Sequence, residues 1–122
     1  MAAELPELMV PDAEAWRSWL GDHHDDSPGV WLVLAKKRTT EPTTLSYEQA
    51  LEEAICHGWI DGQVGRRDVA TYRQRFTPRR PRSSWTRTNV ELAQRLKDQG
   101  RMRLPGQAAV DRAKANGHWK TT

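Results

Sequence analysis

The sequence is poorest in the features that would tie it to an oxidising compartment or a bilayer. Its 122 residues hold one cysteine, Cys56. That excludes an internal disulfide and fits a reducing environment. The longest uninterrupted apolar run is VWLVLA, residues 30–35, far short of the ~20 residues that span a bilayer as a helix. The opening stretch, MAAELPELMVPDAEAW, has no basic segment followed by an apolar one and so does not read as an export signal. A soluble cytoplasmic protein without membrane insertion is the expectation. Phenylalanine occurs once and mean hydropathy is −0.84, so the core has few large side chains to draw on. Six tryptophans compensate, each able to bury ~150–250 Å². No glycine-rich phosphate loop is present. His23, His24 and His118 are remote in sequence from Cys56 and His57, so no metal site is expected, and no cofactor.

What the chain does have is unevenly placed charge. The net charge is only +3, but residues 66–87 carry eight arginines against one acid, Asp68, leaving −4 for the remainder. Arginine in place of lysine suits planar, bidentate contact with phosphate or carboxylate. A solvated basic loop is the plainer reading of the same residues.

The periodicity describes one domain over residues 1–122. PDAEAWRSWLGDHH reads as a short helix with Trp16, Trp19 and Leu20 on one face. VWLVLAKK reads as a strand covered on both faces, with Lys36 and Lys37 emerging at its end. Ser46 and Gln49 form a capping box. The helix that follows carries Tyr47, Ala50, Leu51, Ala54 and Ile55 at helical spacing and stops at Gly58. WIDGQV and ATYRQRF read as a hairpin, with Tyr72, Gln74 and Phe76 on one face of the second strand and Arg73 and Arg75 on the other. TPRRPRSSWT is a loop by its prolines. Thr88 and Glu91 mark the start of a helix reaching Gln99, and Pro105 and Gly117 bracket a last one. The expected fold is α+β, a small, mainly antiparallel three-stranded sheet packed with about four helices.

Three constellations compete for function. Cys56, His57 and Asp61 have the residue types of a nucleophile, base and orienting acid. Neighbours on a helix diverge by ~100°, however, which argues against a Cys56–His57 dyad and for an inert buried thiol. Asp61 shares a strand face with Trp59 and Gln63 and either pairs with Arg73 or Arg75 across the hairpin or serves a pocket in which Trp59 is a stacking surface. The run RFTPRRPRSSWTRTN combines Arg79, Arg80 and Arg82 with Ser84 and Trp85 ahead of a helix N-terminus. That mixture suits an anionic small molecule or nucleic acid. The candidate ligand-binding set is therefore Lys36, Trp59, Asp61, Arg73, Arg75, Arg79, Arg80, Arg82, Ser84 and Trp85, with no catalytic residue assigned. Alternatives are a small enzyme with a pocket around Cys56, His57, Asp61 and Trp85, and a protein–protein adaptor. Trp16, Trp19 and Trp31 are expected in the core, and Trp119 either as a lid on it or as a contact left without its partner.

The stretches GVWLVLAKK, LSYEQALEEAICHGWIDG, RFTPRRPRSSWTRTN, GRM and AKANGHW follow one another in the order and approximate spacing of the YdeI/OmpD-associated, or bacteriocin-protection, family, which the chain resembles over residues 16–119. The shared motif falls on Gly58, Trp59, Asp61, Pro78, Arg79, Ser83 or Ser84, and Trp85. The resemblance implies a bacterial role in envelope stress and antimicrobial-peptide resistance and, in some members, a porin partner. Without an export signal a porin contact is not expected here. Against the family pattern the chain reads as shortened at its C-terminus. The resemblance supplies no catalytic residues, and the oligomeric state is left open.

Overall fold

The computed structural model describes residues 4–119. In chain order it comprises β1 (Glu7–Leu8), α1 (Ala13–His23), β2 (Val30–Ala35), α2 (Tyr47–Cys56), β3 (Trp59–Arg66), β4 (Thr71–Pro78), α3 (Arg87–Asp98) and α4 (Leu104–Asn116). The fold is α+β, with four helices and a four-stranded mixed sheet of order β1-β2-β4-β3 among the described residues. The sheet therefore has one strand more than the three expected. The addition is β1, two residues lying parallel to β2, too short to leave a periodic signal.

Local chemistry accounts for most element boundaries. Asp12 caps α1 by accepting from the Ala15 amide at 2.9 Å. Ser46 and Gln49 close the expected capping box on α2, at 3.2 and 3.1 Å. Gly58 ends α2 at φ 78°, where a side chain would also meet the Pro105 carbonyl at 2.8 Å. Glycine thus stops the helix and lets the start of α4 approach. The start of α3 lies earlier than Thr88: its cap is Thr86, accepting from the Asn89 amide at 3.2 Å.

Two apolar clusters share α2 as a common wall. Ala50 and Ala54 face the first, with Trp16, Leu20, Val30, Leu32, Leu34, Trp59 and Phe76. Leu51, Ile55 and Cys56 face the second, with Trp85, Val90, Ala93, Leu96, Ala109, Val110 and Ala113. On β2 the alternation sends Val30, Leu32 and Leu34 toward α1 and α2, and Trp31 and Val33 to the opposite face. That outer face is covered by side chains of the sheet itself. The Arg73 and Arg75 guanidinium carbons lie 4.4 and 5.8 Å from the Trp31 ring centre. Trp31 is consequently a half-buried platform under arginines and not a core residue, whereas Trp16 is fully enclosed.

Candidate functional site

The hairpin of β3 and β4 sets the geometry of the basic segment. Asp61 registers against Phe76, and Val64 against Gln74. Three steps on β3 thus oppose two on β4, a bulge at Gly62 and Gln63. The bulge breaks the face that Asp61 was expected to share with Gln63. Asp61 points with Phe76 toward the helices, where it accepts from the Tyr47 hydroxyl at 2.8 Å and from Gln74 Nε2 at 3.3 Å. Gln74 also satisfies the Gly62 carbonyl at 3.0 Å. The expected Asp61–Arg73 or Asp61–Arg75 pair does not form, because both arginines leave β4 on the other face. Burial, followed by the bond to Asp61, pushes the Tyr47 hydroxyl up to about 12.

On the outer face, beside the bulge, lies a cleft of about 510 Å³ lined by Pro28, Gly62, Gln63, Arg75, Thr77, Pro78, Arg79, Arg80 and Pro81. Three arginines contribute to it and no carboxylate does. Arg79 is the unusual one, at 7% exposure. Its Nη1 donates at 3.3 Å to Ser83 Oγ and at 3.5 Å to the Ser84 carbonyl. Its Nε and Nη2 are buried with no partner among the described residues. The guanidinium carbon lies 3.7 Å from the Trp85 ring centre. Burial pulls this guanidinium down to about 10, opposed by the charge of Asp61. A buried, half-satisfied cation at the edge of an acid-free cleft is costly unless an acceptor joins it.

The other expected residues are placed elsewhere. Lys36 sits at the far end of β4 from this cleft, its Nζ donating to the Asp68 carbonyl at 2.7 Å. Trp59 is 1% exposed and donates from Nε1 to the His24 carbonyl at 3.2 Å, so it offers no stacking face. Trp85 is likewise buried, between Arg79 and Trp119, whose ring centre is 5.1 Å away. Trp119 is thus a lid on the second cluster. Arg73 stays on Trp31, with Glu7 at 3.9 Å. Arg82 and Ser84 are exposed and outside the cleft lining. Of the ten candidates the cleft collects Arg75, Arg79 and Arg80. The sequence assigned no role there to Thr77, which lies on β4 between Arg75 and Arg79, or to Pro28, which comes from the segment before β2.

Cys56, His57, Asp61 and Trp85 do not share a pocket. Cys56 is 1% exposed in the second cluster, and burial pushes its thiol up to about 11. His57 turns to a separate cleft with Arg17, His24 and Arg103. Its Nδ1 bonds the Glu53 backbone carbonyl at 2.8 Å, not the Glu53 carboxylate, and burial holds the ring below its ordinary value. The Glu53 carboxylate is itself enclosed, meeting Arg17 at 3.2 Å and Arg101 at 2.9 Å. No described helix is long and apolar enough to cross a membrane.

Fold and site together define a small α+β domain with an arginine-lined, carboxylate-free cleft on its outer sheet face. The chain belongs to the family described as Domain of unknown function (DUF8412), whose pattern it matches over residues 8–109. No curated protein and no solved structure matches it.

Proposed function

We propose that this domain is a non-enzymatic binding module for a small anionic ligand, phosphorylated or carboxylated, seated between the β3 bulge and the arginine loop. The carrying observation is Arg79: a nine-tenths-buried guanidinium with two unpartnered nitrogens, lining a cleft that already presents Arg75 and Arg80. A phosphate or carboxylate supplies the acceptors this cluster lacks. Gln63 and Thr77 add polar groups able to orient the ligand. A small anion is favoured over nucleic acid because Trp59 and Trp85, the intended stacking surfaces, are enclosed. The enzyme reading is disfavoured by the burial of Cys56 and the dispersal of its partners. The adaptor reading is disfavoured because Trp16, Trp59 and Trp85 are all enclosed. The resemblance to YdeI/OmpD-associated proteins is consistent with a role in envelope stress or antimicrobial-peptide resistance, with the bound anion as its signal or cargo.

The test is calorimetric titration of the full chain with inorganic phosphate, a nucleoside diphosphate, a dicarboxylate and a single-stranded oligonucleotide at low and high salt. Saturable binding of one of the small anions, lost in Arg75→Ala and Arg80→Ala but kept in Arg82→Ala, is the expected result. Affinity confined to the oligonucleotide and falling steeply with salt would transfer the function to nucleic acid. Equal losses in Arg82→Ala and Arg80→Ala would remove the cleft from the account.

A further inference from the structure

The ends of α1 and α2 lie together, and each is closed by a histidine. His24 follows α1 and its Nδ1 meets the Leu20 carbonyl at 3.1 Å. His57 follows α2 and its Nδ1 meets the Glu53 carbonyl at 2.8 Å. A carbonyl oxygen can only accept, so in both rings Nδ1 carries the proton. In the neutral imidazole that leaves each Nε2 with a free lone pair. Among the described residues nothing hydrogen-bonds either Nε2. The rings stand 6.3 Å apart, centre to centre, tilted by 46°, and both line a cleft of about 760 Å³ that also holds Asp22.

We propose that this pair of helix-capping histidines is a binding site for a divalent transition metal ion of the imidazole-preferring class, Cu²⁺, Ni²⁺ or Zn²⁺, held by Nε2 of His24 and Nε2 of His57. The arrangement supplies in advance what such ligands need: the second nitrogen is tied to a backbone carbonyl, which fixes tautomer and ring orientation. A metal ~2.1 Å from each nitrogen lies ~3.2 Å from each ring centre, so two rings sharing one ion stand no more than ~6.4 Å apart. The observed separation lies just inside that limit and fits a wide nitrogen–metal–nitrogen angle. Two helix C-termini converge here, bringing partial negative charge that favours a cation. Asp22 adds a carboxylate at the cleft wall. Of the two arginines in the cleft, Arg17 is neutralised by Glu53, and Arg103 is the opposing charge. No group of three or more His, Cys, Asp or Glu side chains converges among the described residues. The site is therefore an open two-imidazole one, completed by water. His23 is outside it, its Nδ1 at Asp26 and its ring against Trp19.

The experiment titrates the full chain with NiCl₂ and ZnCl₂ by calorimetry and records the electron paramagnetic resonance of the Cu²⁺ complex. The wild type is expected to bind one ion per chain and to show two coordinated imidazole nitrogens with Cu²⁺. His24→Gln and His57→Gln should each weaken binding by at least about tenfold and leave one coordinated imidazole, while His23→Gln leaves both readouts unchanged. Circular dichroism establishes that each variant is folded, and if buried His57 does not tolerate glutamine, His24→Gln decides alone. No binding, an unchanged affinity in His24→Gln, or an equal loss in His23→Gln overturns the site.

Discussion

The guanidinium of Arg79 lies 3.7 Å from the centre of the Trp85 ring, and Trp119 packs against the same indole at 5.1 Å. This stack joins the arginine-lined cleft on the sheet to the second apolar cluster, so the proposed binding and the stability of the fold meet in one side chain. Removing a buried charge that is only half hydrogen-bonded relieves its desolvation cost. Arg79→Met should therefore keep or raise the melting temperature while abolishing anion binding. Arg79→Lys, which keeps the charge but loses the planar stack, should cost about 1–2 kcal/mol. Thermal melts with and without phosphate read both effects.

Tyr47 and Asp61 give a dependence on alkaline pH. The hydroxyl is held up to about 12, from an ordinary value of 10, so the folded state keeps a proton that the unfolded chain releases. Its contribution to stability is complete below pH 10 and is lost as pH rises toward 12. Tyr47→Phe should cost about 1 kcal/mol at neutral pH and flatten the decline between those limits. Urea melts across the alkaline range check this, and an undiminished decline in the variant would assign it to other groups.

Glu53 is enclosed at 3% exposure and held from two sides by Arg17 and Arg101. Arg101→Met leaves a buried carboxylate with one of its two partners and should cost about 2–3 kcal/mol. Arg95, exposed and 3.4 Å from Glu52, forms the kind of pair that contributes little. Arg95→Met should cost less than about 1 kcal/mol. Denaturant midpoints separate the two, and equal costs would deny Glu53 any special burden.

Two glycines make opposite predictions. Gly21 is inside α1 with no atom near an added methyl, so Gly21→Ala should stabilise by about 0.5–1 kcal/mol. Gly106 packs against the end of α2, where a Cβ would fall on the Cys56 carbonyl oxygen, with the carbonyl carbon at 2.6 Å. Backbone cannot yield as a side chain tip does. Gly106→Ala should destabilise by about 1–3 kcal/mol or more, and alkylation of Cys56, slow in the wild type because the thiol is enclosed, should accelerate.

Much of this fold is written locally. The capping box at Ser46 and Gln49, the glycine stop at Gly58 and the alternation from Tyr72 to Phe76 all emerge as their chemistry dictates. What was not legible depends on register and on distant partners. The bulge at Gly62 and Gln63 turns on one extra residue, yet it places Asp61 behind the sheet and Arg75 in front. Continuous apolar VWLVLA suggested two covered faces, but the arginines of β4 lie over Trp31 and take the place of a helical layer. The loop arginines looked equivalent in sequence, and only packing against Trp85 singles out Arg79. The two capping histidines are far apart in the chain, and the pairing of α1 with α2 is what brings them together.

The division of the apolar interior on either side of α2 has a consequence for how this molecule breathes. A helix with Ala50 and Ala54 on one flank and Leu51, Ile55 and Cys56 on the other is a party wall between two rooms. Opening the α3–α4 room strips only one flank, so amides of α3 and α4 should exchange by a partial unfolding that leaves the sheet closed. Amides of α2 become exposed only when both rooms are lost. The arginine stack beside Trp85 sits at the doorway, where a bound anion would hold shut the layer that opens first.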